Sequence, residues 1–279
     1  MKRRNSTRLA GVLGWPVGHS RSPRLHGHWL QHYGIDGAYV PLPVRPEDIA
    51  EAVRLLPRMG FVGANVTVPH KEAAFRLCSL RDAAAERCGA VNMLLFDGDA
   101  IEGRNTDVFG FLENLRRGAP HWRADDGPAV LIGAGGAARA VAVGLVNAGV
   151  PELRILNRTQ ARAEALAALV GSTARALPWS DLPRALSGAA LLVNATSLGM
   201  VGQDKLGIDI APLPNAATVA DIVYAPLETD LLAAARRRGL ATVDGLGMLL
   251  YQAQPAFAAW FGTKPEVTPE LRRAVLEAE

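Results

Sequence analysis

Three groups of residues in this 279-residue chain have the types and spacing to do chemistry. Lys71 and Asp107, in clusters that also carry amides and hydroxyls, supply a cation and a carboxylate of the kind needed to oxidise a polyhydroxylated small molecule. The turn Gly133-Ala134-Gly135-Gly136-Ala137-Ala138 could hold a phosphate on backbone amides. Arg158 and Arg162 offer planar guanidinium donors that match phosphate oxygens. Each group also has an ordinary explanation: a solvated lysine, an aspartate complementing a helix dipole, glycines in a loop, or arginines on a helix surface. The neighbouring sequence decides between them.

For the glycines the context is specific. Ala129-Val130-Leu131-Ile132 reads as a buried strand, and helical spacing of apolar residues runs on to Gly149. Strand, glycine turn and helix in that order form a G-x-G-x-x-A dinucleotide signature. Gly133 permits the tight turn, Gly135 lets the backbone approach a pyrophosphate, and Ala138 lets helix and strand pack closely, leaving the anion on unpaired helix N-terminal amides. The next strand ends Ile155-Leu156-Asn157-Arg158-Thr159, without the acidic residue that accepts the 2′-hydroxyl of NAD. Arg158, with Arg162 one helical turn on, favours the 2′-phosphate of NADP.

Upstream, three clusters follow candidate strands. Ser20-Arg21-Ser22-Pro23 has Ser22 suited to an N-cap and Pro23 to the first helical position, with hydroxyls and amides that could hold a carboxylate. In Asn65-Val66-Thr67-Val68-Pro69-His70-Lys71, Pro69 disfavours helix at Val68 and sets Lys71 near the start of the next helix. In Asn105-Thr106-Asp107 either polar residue could cap a helix opening at Asp107. Taken together they bring a cation, a carboxylate and several amides and hydroxyls upstream of a nucleotide unit, the equipment for oxidising a polyhydroxylated small molecule.

The elements that must position these groups alternate. Val/Ile/Leu-rich runs predict strands at 9–14, 38–43, 63–67, 90–96, 129–132, 153–157, 190–194, 218–221 and 242–244, separated by Ala-rich helical stretches. The class is α/β with a mostly parallel sheet. The Gly/Pro-containing stretch 116–128 reads as the linker before a second domain.

Composition narrows the setting. The hydrophobic share of 49% supports real cores, and the 30 basic and 27 acidic residues leave a net charge of +3 with no basic tract, so nucleic acid is not an expected partner. Met1-Lys2-Arg3-Arg4 imitates the basic start of a secretion signal, but the apolar run behind it is short and broken by glycine and proline. No run has a membrane-helix length, and Cys78 and Cys88 lack metal or redox spacing, so a soluble protein of the reducing cytoplasm is expected. His26 and His28 form an isolated H-x-H and the other histidines are dispersed, so no metal site is expected.

The order of the clusters resembles the shikimate dehydrogenase family over almost the whole chain. Residues 14–23, 65–71, 89–92, 105–107, 133–139, 157–159, 194–200, 221–226 and 244–254 carry the likeness. The resemblance implies an N-terminal α/β substrate-binding domain of residues 1–106 and 244–279. It also implies a Rossmann-type doubly wound NADP-binding domain of residues 107–243, with the C-terminal helices returning to the first domain. Ser20 and Ser22 would hold the shikimate carboxylate, and Asn65, Thr67, Asn92, Asp107, Tyr224 and Gln252 the ring around Lys71. Lys71 and Asp107 would be the catalytic pair. Besides the glycine turn, Asn157, Arg158, Thr159, Arg162, Thr196, Ser197, Ile222, Gly245 and Met248 would contact NADP(H). The implied partners are shikimate and 3-dehydroshikimate, with a homodimer as the assembly considered.

Three positions depart from the family pattern: Met93 for a usual Thr, Gly27 for Asn and Val108 for Gly. Met93 bears on the substrate, because a thioether cannot donate a hydrogen bond. An NAD-using quinate/shikimate dehydrogenase and a non-catalytic NADP-binding regulator are the competing readings; Arg158 and Arg162 oppose the first, and retention of Lys71 and Asp107 opposes the second. An ordinary lysine is protonated at neutral pH. Lys71 therefore serves either as the proton carrier or mainly as a charge stabiliser, with Asp107 or a water sharing the transfer.

Overall fold

The computed structural model describes residues 7–98 and 100–277; the basic start at residues 1–4 lies outside them. The chain divides into two compact units, one of Met1–Thr106 with Leu250–Glu279 and one of Asp107–Leu249.

The first unit is built on strands β1 (Arg8–Gly14), β2 (Gly37–Pro43), β3 (Phe61–Val66), β4 (Leu80–Arg81), β5 (Met93–Asp97) and β6 (Ala100–Arg104), in the order β2-β1-β3-β5-β6-β4. β1 lies parallel to β2 and β3, whereas β5 pairs antiparallel with β3 and β6, so the sheet is mixed. Its helices are α1 (Ser22–His32), α2 (Ile49–Leu55), α3 (Lys71–Leu77), α4 (Ala83–Cys88), the later part of α10 (Leu246–Phe261) and α11 (Pro269–Leu276). Leu13, Val53, Ala64, Val66, Ala74 and Leu94 belong to one apolar core. A second, aromatic cluster joins α1 to α10: Trp29, Tyr39, Phe257 and Trp260 surround the ring of His26. Gly63 on β3 makes room for this packing, since a Cβ there would run into the Trp260 indole, whose Nε1 donates to Leu94 O at 3.0 Å.

The second unit contains β7 (Ala129–Ile132), β8 (Leu153–Leu156), β9 (Ala174–Ala176), β10 (Leu191–Asn194), β11 (Thr218–Asp221) and β12 (Ala241–Val243), all parallel, in the order β12-β11-β10-β7-β8-β9. Its helices are α5 (Asp107–Gly118), α6 (Gly136–Ala148), α7 (Gln160–Val170), α8 (Leu182–Leu186), α9 (Asp230–Arg237) and the first residues of α10. The strand order reverses between β7 and β10, which opens a crevice at their carboxyl ends, where ligands of doubly wound sheets bind.

Several sequence expectations need correction. β4, β6 and β9 were not expected: β4 and β9 are two and three residues long, and β6, Ala100-Ile101-Glu102-Gly103-Arg104, carries two charges. The strand expected from 90 begins at Met93, because Gly89 caps α4 in a left-handed conformation. Residues 116–128 are not a domain linker. α5 belongs to the second unit, where Leu112 and Val108 pack on Gly144 of α6 and Gly118 lies against Val243. Among the described residues no helix is long and apolar enough to cross a membrane.

Candidate active site

In the first unit, buried side-chain amides form a continuous net. Asn65, near the end of β3, accepts a hydrogen bond from the Tyr39 hydroxyl at 2.6 Å and donates from Nδ2 to Asn92 O at 3.0 Å. The Asn92 side chain donates to Thr106 Oγ1 at 2.9 Å and to Gln252 Oε1 at 3.1 Å, while its Oδ1 accepts from Thr106 N at 2.8 Å. Asn65, Asn92, Thr106 and Gln252 are all buried. In a water-poor setting every one of these groups must find a partner, so the net fixes which end of each amide faces which way.

Around this net stand the other residues singled out in this unit. α3 begins at Lys71, as the Pro69 turn predicts, and its carbonyl accepts from Val91 N at 3.0 Å, beside Asn92. Thr67 N donates to Leu13 O, and a Cβ on Gly14 would come within 2.6 Å of Thr67 Cγ2, so the β1 and β3 ends are close-packed. Ser22 is the first residue of α1, with Arg21 at the cap position, and its N–H points to Ser20 Oγ at 3.3 Å. The expected N-cap role of Ser22 is thus replaced by a pairing of the two serines. Thr106 bonds to Asn92, and Asn105 Nδ2 donates to Ala90 O at 2.9 Å.

Two residues that the sequence did not single out for this site, Tyr39 and His26, lie against the amide net. Tyr39 looks like a strand aromatic, and His26 like half of an isolated H-x-H. Their rings stack at 4.0 Å with an interplanar angle of 4°. Burial pulls the His26 imidazole from 6.5 to about 3, with Asn65 opposing, and pushes the Tyr39 phenol well above its usual value, with Ser22 opposing. Both rings are therefore neutral at physiological pH. Met93 is fully buried and sits opposite Asn65 in the β3–β5 pair, so both side chains share one face of the sheet.

In the second unit, the glycine turn sits at the strand-order reversal. Gly133 has φ +116°, and a Cβ there would lie 2.8 Å from Ala195 O, so only glycine fits. Gly135 caps α6 without any side-chain hydrogen bond and has nothing within 4 Å of its Cβ position. Gly136 and Ala137, half-buried, open α6 beside Ala134, and the first amides of a helix make a ready anion site. At the β8 end, Asn157 Nδ2 donates to Thr159 O at 2.9 Å, and Arg158 and Arg162 are exposed.

The β10 end forms a tight turn. Asn194 Oδ1 accepts from Thr196 N at 3.1 Å and Thr196 Oγ1 at 2.8 Å, with Ser197 exposed next to them. Ile222 N donates to Asn194 O at 3.0 Å, and a Cβ on Gly245 would run into the carbonyls of Ile222 and Val223. The Gly133, Asn194–Thr196, Ile222 and Gly245 segments are thus contiguous. Asp107 opens α5 and is buried, Met248 is buried in the first turns of α10, and Tyr224 is half-buried. An amide-lined anion site, exposed arginines and no carboxylate at the β8 end together fit an NADP-type dinucleotide.

The match to known proteins is now decisive. Residues 12–94 match the profile described as shikimate dehydrogenase substrate binding domain, 120–203 that of shikimate / quinate 5-dehydrogenase, and 245–276 that of shikimate 5′-dehydrogenase C-terminal domain. The chain is 59% identical over 270 residues to the shikimate dehydrogenase (NADP(+)) of Paramagnetospirillum magneticum, covering 96% of this chain and 98% of that one. The chain belongs to the shikimate dehydrogenase family. Among solved members, shikimate 5-dehydrogenase from Thermus thermophilus in complex with NADP(H) and shikimate is 38% identical, with a TM-score of 0.85 over 96% of this chain and 98% of that one. Quinate dehydrogenase from Corynebacterium glutamicum in complex with NAD is 31% identical, with a TM-score of 0.87 over 97% and 99%. The family's fold, an N-terminal substrate-binding domain with a Rossmann-type domain, is that of the two units.

Proposed function

We propose that this chain is an NADP-dependent shikimate dehydrogenase, which interconverts 3-dehydroshikimate and shikimate on the way to chorismate and the aromatic amino acids. The observation that carries this reading is Lys71 opening α3 beside the buried amide net of Asn65, Asn92 and Gln252, in a chain whose nucleotide unit has arginine where an NAD enzyme has an acid. Bound NADP(H) supplies the hydride chemistry. Gly133, Ala134, Gly135, Gly136 and Ala137 take its diphosphate, Asn157, Arg158, Thr159 and Arg162 its 2′-phosphoribose, and Thr196, Ser197, Ile222, Gly245 and Met248 the remainder.

On the substrate side, Ser20 and Ser22 hold the carboxylate while Asn65, Thr67, Asn92, Tyr224 and Gln252 fix the ring hydroxyls. Lys71, as an ammonium, donates to the oxygen on which negative charge develops, and Asp107 orients the substrate hydroxyl and shares the proton. The setting this reading implies is the cytoplasm, with neither nucleic acid nor membrane as a partner and a homodimer as the assembly to test.

Replacing Lys71 by Ala tests the assignment. Turnover is expected to fall by about 10²–10⁴-fold, the range of positioned acid–base groups, with a much smaller rise in KM for shikimate. Near-normal turnover would remove Lys71 from the chemistry.

A further inference from the structure

We propose that Asp221 is a positioning residue for the cofactor: its buried carboxylate sets the conformation of the Asn194–Met200 turn. The proposal rests on the reading above, in which Thr196 and Ser197 of that turn face NADP(H).

Asp221 ends β11 directly beside Asn194 at the end of β10. Its Oδ1 accepts from Asn194 Nδ2 at 3.0 Å and from Val223 N at 3.0 Å, and its Oδ2 accepts from the Thr229 hydroxyl at 2.8 Å. An ionised carboxylate only accepts, so it admits the Nδ2 end of Asn194 and rejects the Oδ1 end. That choice propagates. With Nδ2 held, Asn194 Oδ1 faces the turn and accepts from Thr196 N and Oγ1, Nδ2 also donates to Leu198 O at 3.1 Å, and Thr196 Oγ1 accepts from Leu198 N at 3.1 Å. A flipped Asn194 amide would set donor against donor at Thr196 N and lose the bonds to Asp221 and Leu198.

The turn in turn forms a wall of the glycine loop, since Ala195 O is the atom that a Cβ on Gly133 would approach. Asp221 also reaches the segment beyond β11, through Val223 N. Capping of α9 does not account for the carboxylate: Thr229 Oγ1 accepts from Leu232 N at 3.3 Å, a bond that needs no acid behind it. Burial raises the proton affinity of Asp221, with Val223, Thr229 and Asn194 opposing. A buried carboxylate is an expensive way to fill space, and orientation of Asn194 is a reason to keep one.

The test is the dissociation constant of NADP+ and the KM values of both substrates for the full chain and for Asp221→Ala, Asp221→Asn and, as a control on the reading, Thr196→Ala. Asp221→Ala is expected to weaken NADP+ by at least about tenfold, the scale of a buried amide left without its partner, with KM for shikimate within about twofold. Asp221→Asn keeps one oxygen for Asn194 and Val223 and an amide for Thr229, so it should return to within about threefold of the parent. An unchanged NADP+ constant in Asp221→Ala while Thr196→Ala is weakened overturns the proposal and leaves the reading intact. An unchanged constant in Thr196→Ala removes the reading and the proposal with it. Equal losses in Asp221→Ala and Asp221→Asn also overturn it, because charge rather than orientation would then be at work. Should Asp221→Ala not fold, isosteric Thr229→Val is expected to weaken NADP+ about two- to fivefold, and no change there counts against the proposal.

Discussion

In the first unit the site is lined by side chains. Asn65, Asn92, Thr106 and Gln252 present amides and a hydroxyl, each buried and each fixed by another. In the second unit it is lined by backbone: Gly133, Gly135 and Gly245 matter because they carry no side chain, and the polar groups behind them, Asn194 and Asp221, shape a turn. The difference suits the two ligands proposed. A dinucleotide's diphosphate is satisfied by helix amides and can be read by main chain alone, whereas a ring with several hydroxyls must be told from similar rings by donors and acceptors at particular places.

The largest expected contrast is with acid. His26 has an unfolded value of 6.5 and a folded value of about 3, so the unfolded chain takes up its proton first. The stability of the first unit should be full above pH 6.5 and fall as pH drops toward 3, by on the order of 4 kcal/mol from this group. Asp221 in the second unit has the opposite sign: its raised value adds stability at low pH that is lost on raising pH. Hydrogen exchange between pH 7 and 4 should therefore show α1 and the later part of α10 losing protection before β10 and β11. Simultaneous loss would break the contrast.

Next in size are the two kinds of lining. Gly133→Ala forces a Cβ against Ala195 O at positive φ and costs about 1–3 kcal/mol of local strain, which should weaken NADP+ by roughly ten- to hundredfold and spare KM for shikimate. Asn92→Ala leaves the buried Thr106 N–H without its acceptor, a penalty of about 1–3 kcal/mol, and should do the reverse. Steady-state kinetics with each substrate varied separates the two; if both variants moved the same constant, the division between side-chain and backbone lining would fail. The smallest effect belongs to Arg158→Ser. It should raise KM for NADP+ by about tenfold while leaving NAD+ use nearly unchanged, as expected for a guanidinium that serves only the 2′-phosphate.

The two linings also explain what could be read from the sequence. Gly133–Ala138 is legible because strand, turn and helix follow one another within the chain, and the arginine at the β8 end is a fixed distance further on. The amide net is not, since Asn92 meets Gln252 across 160 residues and Tyr39 meets Asn65 across 26. Only the resemblance to a known family drew Asn65, Asn92 and Gln252 together. Tyr39 and His26 escaped because their types suit a strand and a helix face equally well. Thr106 was visible but ambiguous: a threonine before a helix reads as a cap, and its bond to Asn92 depends on the fold. The stretch 116–128 has the composition of a linker, yet it lies within the second unit, with Gly118 at the end of α5 packed on Val243.

The central claim is the pairing of a shikimate-reading first unit with an NADP-reading second one. Its most direct test is kcat/KM of the purified protein for shikimate and quinate, each with NADP+ and NAD+. Shikimate with NADP+ is expected to exceed each other combination by at least about tenfold, with the cofactor preference lost in Arg158→Ser. Equal or higher efficiency with quinate or with NAD+ would contradict it.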